Sequence, residues 1–79
     1  EPAGKWLPEV TNRDNYAGTY YKPIDAVMFK TNTNKTIYYQ VHTKGKWLSY
    51  VTGYNENDKI NGYAGILGKE IDGLRIYLK

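Results

Sequence analysis

Residues 37–47 read Ile-Tyr-Tyr-Gln-Val-His-Thr-Lys-Gly-Lys-Trp, and this stretch decides the fold class. Ile37, Tyr39 and Val41 alternate with more polar neighbours, which is the two-residue period of a half-buried β-strand. Branched and aromatic side chains are also those that strands prefer. The Lys44-Gly45 pair then predicts a hairpin turn, since glycine readily adopts a left-handed backbone conformation. The stretch therefore predicts a strand over Ile37–Thr43 that enters a hairpin.

Two registers of this hairpin are open. A three-residue loop ending at Gly45 places Val41 opposite Trp47, Tyr39 opposite Ser49 and Ile37 opposite Val51. We favour it because one face of the hairpin then becomes largely apolar. A two-residue loop at Lys44-Gly45 instead places Trp47 opposite His42 and turns Leu48 and Tyr50 inward, since a slip of one residue exchanges the faces.

The chain also contains an internal repeat. The segment Gly-Lys-Trp-Leu-Pro-Glu-Val-Thr at 4–11 returns as Gly-Lys-Trp-Leu-Ser-Tyr-Val-Thr at 45–52, Tyr-Ala-Gly at 16–18 returns at 63–65, and Lys-Pro-Ile-Asp at 22–25 returns as Lys-Glu-Ile-Asp at 69–72. This pattern predicts one domain over 1–79, built from an imperfect tandem repeat, 4–30 and 45–78, joined by a hairpin over 31–44. Each copy should end in a core strand, with Val27 and Phe29 inward in the first. The second strand, near Ile71–Leu78, should have Leu74, Ile76 and Leu78 inward, and Arg75 and Tyr77 on its other side.

Composition favours an all-β fold stabilised by aromatic side chains. The 79 residues include nine Tyr, two Trp and one Phe but no Cys, so no disulfide supports so small a core. We expect two pseudo-symmetric three-stranded antiparallel units, packed as a small sandwich or an open barrel. The polar segment 31–36 should be a hairpin loop, and residues 53–62, which contain an insertion in the second copy, should be a surface loop.

Charge and hydropathy limit the classes of partner that this chain is expected to bind. The net charge of +3 is too small for the cationic stripe of a nucleic-acid-binding protein, and no apolar run approaches the roughly 20 residues of a membrane span. We expect neither a nucleic-acid nor a membrane partner. The opening Glu-Pro-Ala-Gly resembles the end of a linker, so we expect a fragment of a longer protein.

Catalytic and metal-binding residues are scarce. The chain holds one Ser and one His, and the favoured register directs Ser49 and His42 to opposite faces. Asp25 and Asp72 are equivalent in the repeat, whereas glycoside hydrolysis needs two carboxyl groups in different environments. The polar loop lacks the full calcium-binding pattern. We therefore expect a binding module without catalytic residues, metal or cofactor.

The tyrosines exceed what one small core can bury. Tyr20, Tyr38, Tyr50, Tyr54 and Tyr77 are predicted to face outward or to lie on loops, where rings and nearby polar groups suit carbohydrate. Scattered surface tyrosine is the alternative interpretation. The predicted ligand-binding residues are Tyr38, His42, Trp47 (in the two-residue-loop register), Tyr50, Tyr54, Asn55 and Asp72.

These ordered motifs also carry a family likeness. The Gly-Lys-Trp-Leu-Pro-Glu-Val segment, Asp14–Gly18, Tyr39–Leu48, Val51–Asn55 and Asn61–Gly65 resemble the C-terminal cell-wall-binding domains of clostridial phage endolysins and related Gram-positive autolysins. Gln40 departs from the family, which is expected to have a basic residue before Val-His.

The resemblance implies a domain that anchors a peptidoglycan hydrolase, with an N-terminal muramidase or amidase, to bacterial cell-wall glycopolymer or peptidoglycan. It implies action at the cell wall, after release by phage lysis or secretion, and association of some members into homo-oligomers. The alternative function is an oligomerisation or interaction module of the parent protein, which pairs edge strands or aromatic patches.

Overall fold

The computed structural model describes Trp6 and residues 24–79. These residues form five β-strands and no helix: β1 (Ala26–Val27), β2 (Ile37–Thr43), β3 (Lys46–Trp47), β4 (Ala64–Gly65) and β5 (Ile71–Leu78). β1 pairs with β4, and a second antiparallel sheet has the order β3-β2-β5. The all-β prediction is confirmed, and the two sheets do not close into a barrel. Nothing in this part of the chain is a helix long and apolar enough to span a membrane.

The central strand of the larger sheet is β2, with the bounds that its sequence predicts. It pairs with β5 from Ile37 opposite Leu78 to His42 opposite Gly73. Tyr39, Val41 and Thr43 are fully buried on the core side of β2, and Gln40 on its other side is buried as well. A local two-residue pattern was sufficient to predict this strand.

The favoured hairpin register is wrong, and the two-residue loop of the alternative is confirmed. His42 lies opposite Trp47 and Thr43 opposite Lys46, so Lys44 and Gly45 form a two-residue turn. Both have positive φ, 53° and 79°. A turn with two such residues matches the right-handed twist of the paired strands, which stabilises it although lysine rarely adopts this conformation.

An irregularity after β3 changes which side chains face the core. The Leu48 amide donates to the Val41 carbonyl, but the next bridge joins Tyr39 to Val51. Two residues of β2 therefore oppose three on the other segment, as in a β-bulge. Val51 becomes buried. Leu48 is partly buried against the core, but Tyr50, which the two-residue loop was expected to turn inward, is exposed. The predicted pairings of Val51 with Ile37 and of Ser49 with Tyr39 are wrong, because the two-residue turn shifts the register by one residue and the bulge shifts it by one more.

The core lies between the two sheets. Its buried residues are Tyr39, Val41, Val51 and Ala64, and partly buried apolar side chains surround them: Val27, Phe29, Ile37, Leu48 and Ile71. The Tyr39 hydroxyl donates to the Gly53 carbonyl at 2.6 Å and lies 3.3 Å from the Gly62 carbonyl. These contacts attach the loop 53–62 to the core side of the sheet.

The apolar row on β5 is on the predicted side but is less buried than predicted. Leu74, Ile76 and Leu78 pair with the core-facing residues of β2, yet each is 44–48% exposed. β5 is an edge strand of the described sheet, so one flank of the row has no neighbouring strand among these residues. Val27 and Phe29, predicted inward, are partly buried against the core.

The polar segment 31–36 is a loop but not a hairpin loop, because it connects β1 in the small sheet to β2 in the large one. The hydroxyl of Thr31 accepts a hydrogen bond from the Thr33 amide, and that of Thr33 accepts one from the Lys35 amide. Most of the first repeat, including Tyr16 and Tyr20, lies outside the described residues. The predicted pair of equivalent three-stranded units is therefore not confirmed.

Candidate functional site

The three-stranded sheet has a second face, directed away from the core, which we call the outer face. Alternation places Tyr38 and Gln40 of β2 on it, opposite Tyr77 and Arg75 of β5. It comprises eight side chains: Tyr38, Gln40, His42, Trp47, Tyr50, Asp72, Arg75 and Tyr77. Five of them were predicted as ligand-binding residues.

One end of the outer face is a cluster of three tyrosines. Tyr38 and Tyr77 stack with their ring centres 4.8 Å apart and their planes at 9°. Tyr50 meets Tyr77 edge to face, at 5.3 Å and 75°. Tyr50 and Tyr77 remain 40% and 43% exposed, so the packed rings still present apolar surface to solvent. Mutual contact fixes the rings, which lowers the entropy lost when a ligand binds.

The other end is organised around Trp47. The Arg75 guanidinium lies 4.0 Å from the centre of the indole ring, and the His42 ring meets it edge to face at 5.2 Å. Trp47 belongs to β3 but reaches across β2 to β5, where a Cβ on Gly73 would lie 3.1 Å from its Cη2 and 2.9 Å from the Cβ of His42. The missing side chain at Gly73 therefore leaves room for the indole ring.

A second bulge adds a carboxylate to this end. The register between β2 and β5 shifts by one residue after His42, so Asp72 is the extra residue between Ile71 and Gly73. Such a bulge redirects a side chain. Asp72 Oδ1 lies 2.5 Å from His42 Nδ1. Because a carboxylate only accepts, Nδ1 is the donor in this hydrogen bond.

Gln40 supports the centre of the outer face. Its side chain is buried, its Nε2 donates to the Leu48 carbonyl at 2.9 Å, and its Oε1 accepts from Arg75 Nη1 at 3.1 Å. Sequence reasoning did not select Gln40, Arg75 or Tyr77 as site residues. The signal existed, since alternation places Arg75 and Tyr77 opposite the apolar row, but nothing in the sequence joins them to Trp47.

Tyr54 and Asn55 lie apart from the other predicted site residues, because their loop is attached to the core side of the sheet. The Tyr54 ring lies 4.8 Å from the Lys30 ammonium. The side-chain Oδ1 of Asn55 accepts from the backbone amide of Asn57, and the backbone amide of Asn55 donates to the Gly62 carbonyl. Asn55 thus stabilises the loop itself.

Asp58 has a similar role in this loop. Its Oδ1 accepts from the amides of Ile60 and Asn61. Across the described residues, no three His, Cys, Asp or Glu side chains are grouped so that they could hold a metal ion.

Equivalent residues of the repeat have different surroundings. Asp25 Oδ2 accepts from the Gly68 amide at 2.7 Å, whereas its counterpart Asp72 pairs with His42. Burial raises the pKa of Asp25, but hydrogen bonding, including that from Gly68, outweighs it and lowers the pKa overall. Trp6 packs edge to face on the buried Tyr63 at 5.5 Å, whereas Trp47 is 37% exposed.

A hydrogen-bonded His and Asp also occur in catalytic triads, where the carboxylate orients the His that acts as the base. The sequence did not indicate that Asp72 would lie beside His42 in this way. Among the described residues, however, no hydroxyl side chain is hydrogen bonded to His42. The geometry fits recognition, because an oriented imidazole and a carboxylate can both bind ligand hydroxyls. Comparisons with protein-family models, with curated proteins and with solved structures find no match.

Proposed function

We propose that this chain is a non-catalytic module that attaches to carbohydrate of the Gram-positive cell wall through its outer face. The observation that carries the proposal is the composition of this face. Partly exposed rings at Trp47, Tyr50 and Tyr77 are joined in one surface with hydrogen-bonding groups at His42 and Asp72.

Sugars need this combination of groups. The axial C–H bonds of a pyranose form an apolar patch that packs on an aromatic ring, while its hydroxyl groups require nearby donors and acceptors. From Gly73 to Tyr77 the face extends about 13 Å along β5, at roughly 3.3 Å per residue. An elongated, shallow surface of this kind suits a polymer better than a compact small molecule.

The wider organisation belongs to the same proposal. The module anchors a peptidoglycan hydrolase whose N-terminal muramidase or amidase domain performs the chemistry, and it acts at the cell wall after phage lysis or secretion. The two repeats form pseudo-symmetric three-stranded units. One contact supports direct pairing of the two copies. The backbone amide of Ile71 donates to the carbonyl of Ile24 at 2.8 Å, and these two residues are equivalent in the repeat.

Retention on purified walls tests the attachment. The protein should co-sediment with Gram-positive walls, and removal of the secondary polymers should identify the ligand. Trp47→Ala should weaken retention about tenfold or more, since it removes the ring that supports both Arg75 and His42. Ile60→Ala, at a 90% exposed apolar position on the core-side loop, is the control and should bind normally. Absence of retention on every wall preparation would overturn the proposal.

One observation favours the alternative function, assembly of the parent protein. Leu74, Ile76 and Leu78 form a half-exposed apolar row on β5, an edge strand of the described sheet. Exposed strand edges with apolar side chains favour association. Sedimentation at several concentrations tests it: association that Ile76→Lys abolishes, in a protein that walls do not retain, would favour assembly over attachment.

A further inference from the structure

Arg75 is a cation at the centre of the outer face. The carboxylate of this face, Asp72, pairs with His42, and within residues 24–79 no carboxylate is paired with Arg75. The polar partner of its guanidinium is the neutral amide of Gln40. Its side chain is exposed, so the charge faces solvent and any ligand there.

The surroundings hold the guanidinium without neutralising it. Trp47 supports one face of the plane at 4.0 Å, and Gln40 takes one N–H at 3.1 Å. Gln40 is itself fixed by its bond to the Leu48 carbonyl. A guanidinium has five N–H donors in a rigid plane, so several remain for a ligand. This fork matches the paired oxygens of a phosphate or carboxylate group.

We infer that the outer face takes an anionic glycan, in which Arg75 binds a phosphate or carboxylate group while the neighbouring rings pack on sugar. This inference rests on the proposed function and specifies its ligand class. A purely structural arginine would be expected to pair with a carboxylate, whereas a fixed neutral amide orients the guanidinium and preserves its charge. The anionic group has two sources in a Gram-positive wall: phosphodiesters of secondary polymers, or carboxylates of sugars and peptides.

Matched variants on purified walls test the role of Arg75. Arg75→Gln should weaken retention about tenfold or more, the effect of one lost charge-assisted hydrogen bond. Arg75→Lys, which keeps the charge but not the fork, should bind at an intermediate level. Lys59→Gln removes the same charge from the exposed core-side loop and should leave retention within about twofold of the unaltered protein. Circular dichroism checks that each variant is folded.

Two wall treatments separate the sources. Mild acid that cleaves phosphodiesters should abolish the difference between the unaltered protein and Arg75→Gln if phosphate is the ligand. Carbodiimide amidation should abolish it if carboxylate is the ligand. Loss under either treatment supports the inference, and persistence of the difference under both would overturn it.

Failure of the inference is distinguishable from failure of the proposed function. If the unaltered protein and Arg75→Gln are retained equally, the ligand is not anionic at this position, but attachment stands. If the unaltered protein is not retained on any wall, both are overturned.

Discussion

The two faces of β2 differ although their residues alternate along one seven-residue strand. Tyr39, Val41 and Thr43 on the core face are fully buried. Tyr38 and His42 on the outer face are half-buried and contact rings or charged groups. The core face therefore contributes to stability, and the outer face is the one that we propose binds ligand. Substitutions on the two faces should affect different measurements.

The largest expected effect on stability is at Val41. Val41→Ala should lower the free energy of unfolding by about 2 to 3 kcal/mol, because the site is fully buried at the centre of the core. Urea unfolding followed by circular dichroism measures this loss. Tyr50→Ala, on the outer face, should change the same free energy by less than about 1 kcal/mol. Equal losses would mean that the two faces do not divide their roles.

Gly73→Ala should disturb the outer face from within the sheet. The new Cβ would press on His42 and on the edge of Trp47, which should cost about 1 to 2 kcal/mol and reduce retention on walls. Gly68→Ala is the matched control: at φ 87° it introduces backbone strain with no atom within 4 Å. Its retention should be unchanged. If both variants are retained less, the reduced retention of Gly73→Ala results from lower protein stability and not from disturbance of the outer face.

Tyr39 should make stability depend on alkaline pH. Burial raises the pKa of its phenol, so the folded state favours the neutral form. Its contribution to stability is complete below about pH 10, the ordinary value for tyrosine, and is lost as the pH rises toward the raised folded value. Unfolding measured from pH 8 to 11 should show this fall.

Tyr39→Phe should cost about 1 kcal/mol at neutral pH, through the hydrogen bond to the Gly53 carbonyl, and should reduce the alkaline fall. Tyr50→Phe is the matched control and should leave the fall unchanged. If Tyr39→Phe loses as much stability at alkaline pH as the unaltered protein does, other groups are responsible for the loss.

The smallest effects should distinguish the two equivalent aspartates. Asp25→Asn should lower stability more than Asp72→Asn, since Asp25 accepts from the Gly68 amide and Asp72 is exposed. The exposed pair of Asp72 with His42 should contribute less than about 1 kcal/mol. Asp72→Asn should instead weaken retention on walls. The reverse order in either measurement would contradict this assignment.

Acid unfolding gives a second test of Asp25. Its pKa is lowered in the folded state, so its contribution is present above the unfolded value near 3.8 and is lost as the pH falls through the folded value. The stability difference between the unaltered protein and Asp25→Asn should therefore shrink below about pH 4. A difference that is constant from pH 6 to pH 2 would contradict this role.

The contrast between Asp25 and Asp72 also shows that equivalent sequence positions need not have equivalent contacts. Both follow Ile in a repeated motif, and nothing local predicts that one contacts an amide and the other an imidazole. Five predicted site residues share the outer face. Alternation along β2, a local property, places Tyr38 and His42 there, whereas Trp47, Tyr50 and Asp72 lie there because of the hairpin register and the two bulges. Tyr54 and Asn55 do not lie on this face, because the Tyr39 hydroxyl attaches their loop to the opposite side.

The sequence by itself determined the all-β class, the bounds of β2 and β5, and the sides that Tyr38, Arg75 and Tyr77 face. A period of two follows from backbone geometry, so it is readable from side chains alone. Only the tertiary structure decided the hairpin register, the bulge at Asp72 and the contact of Arg75 with Trp47. These depend on small free-energy differences summed over the whole sheet, where one extra residue on one strand exchanges its faces.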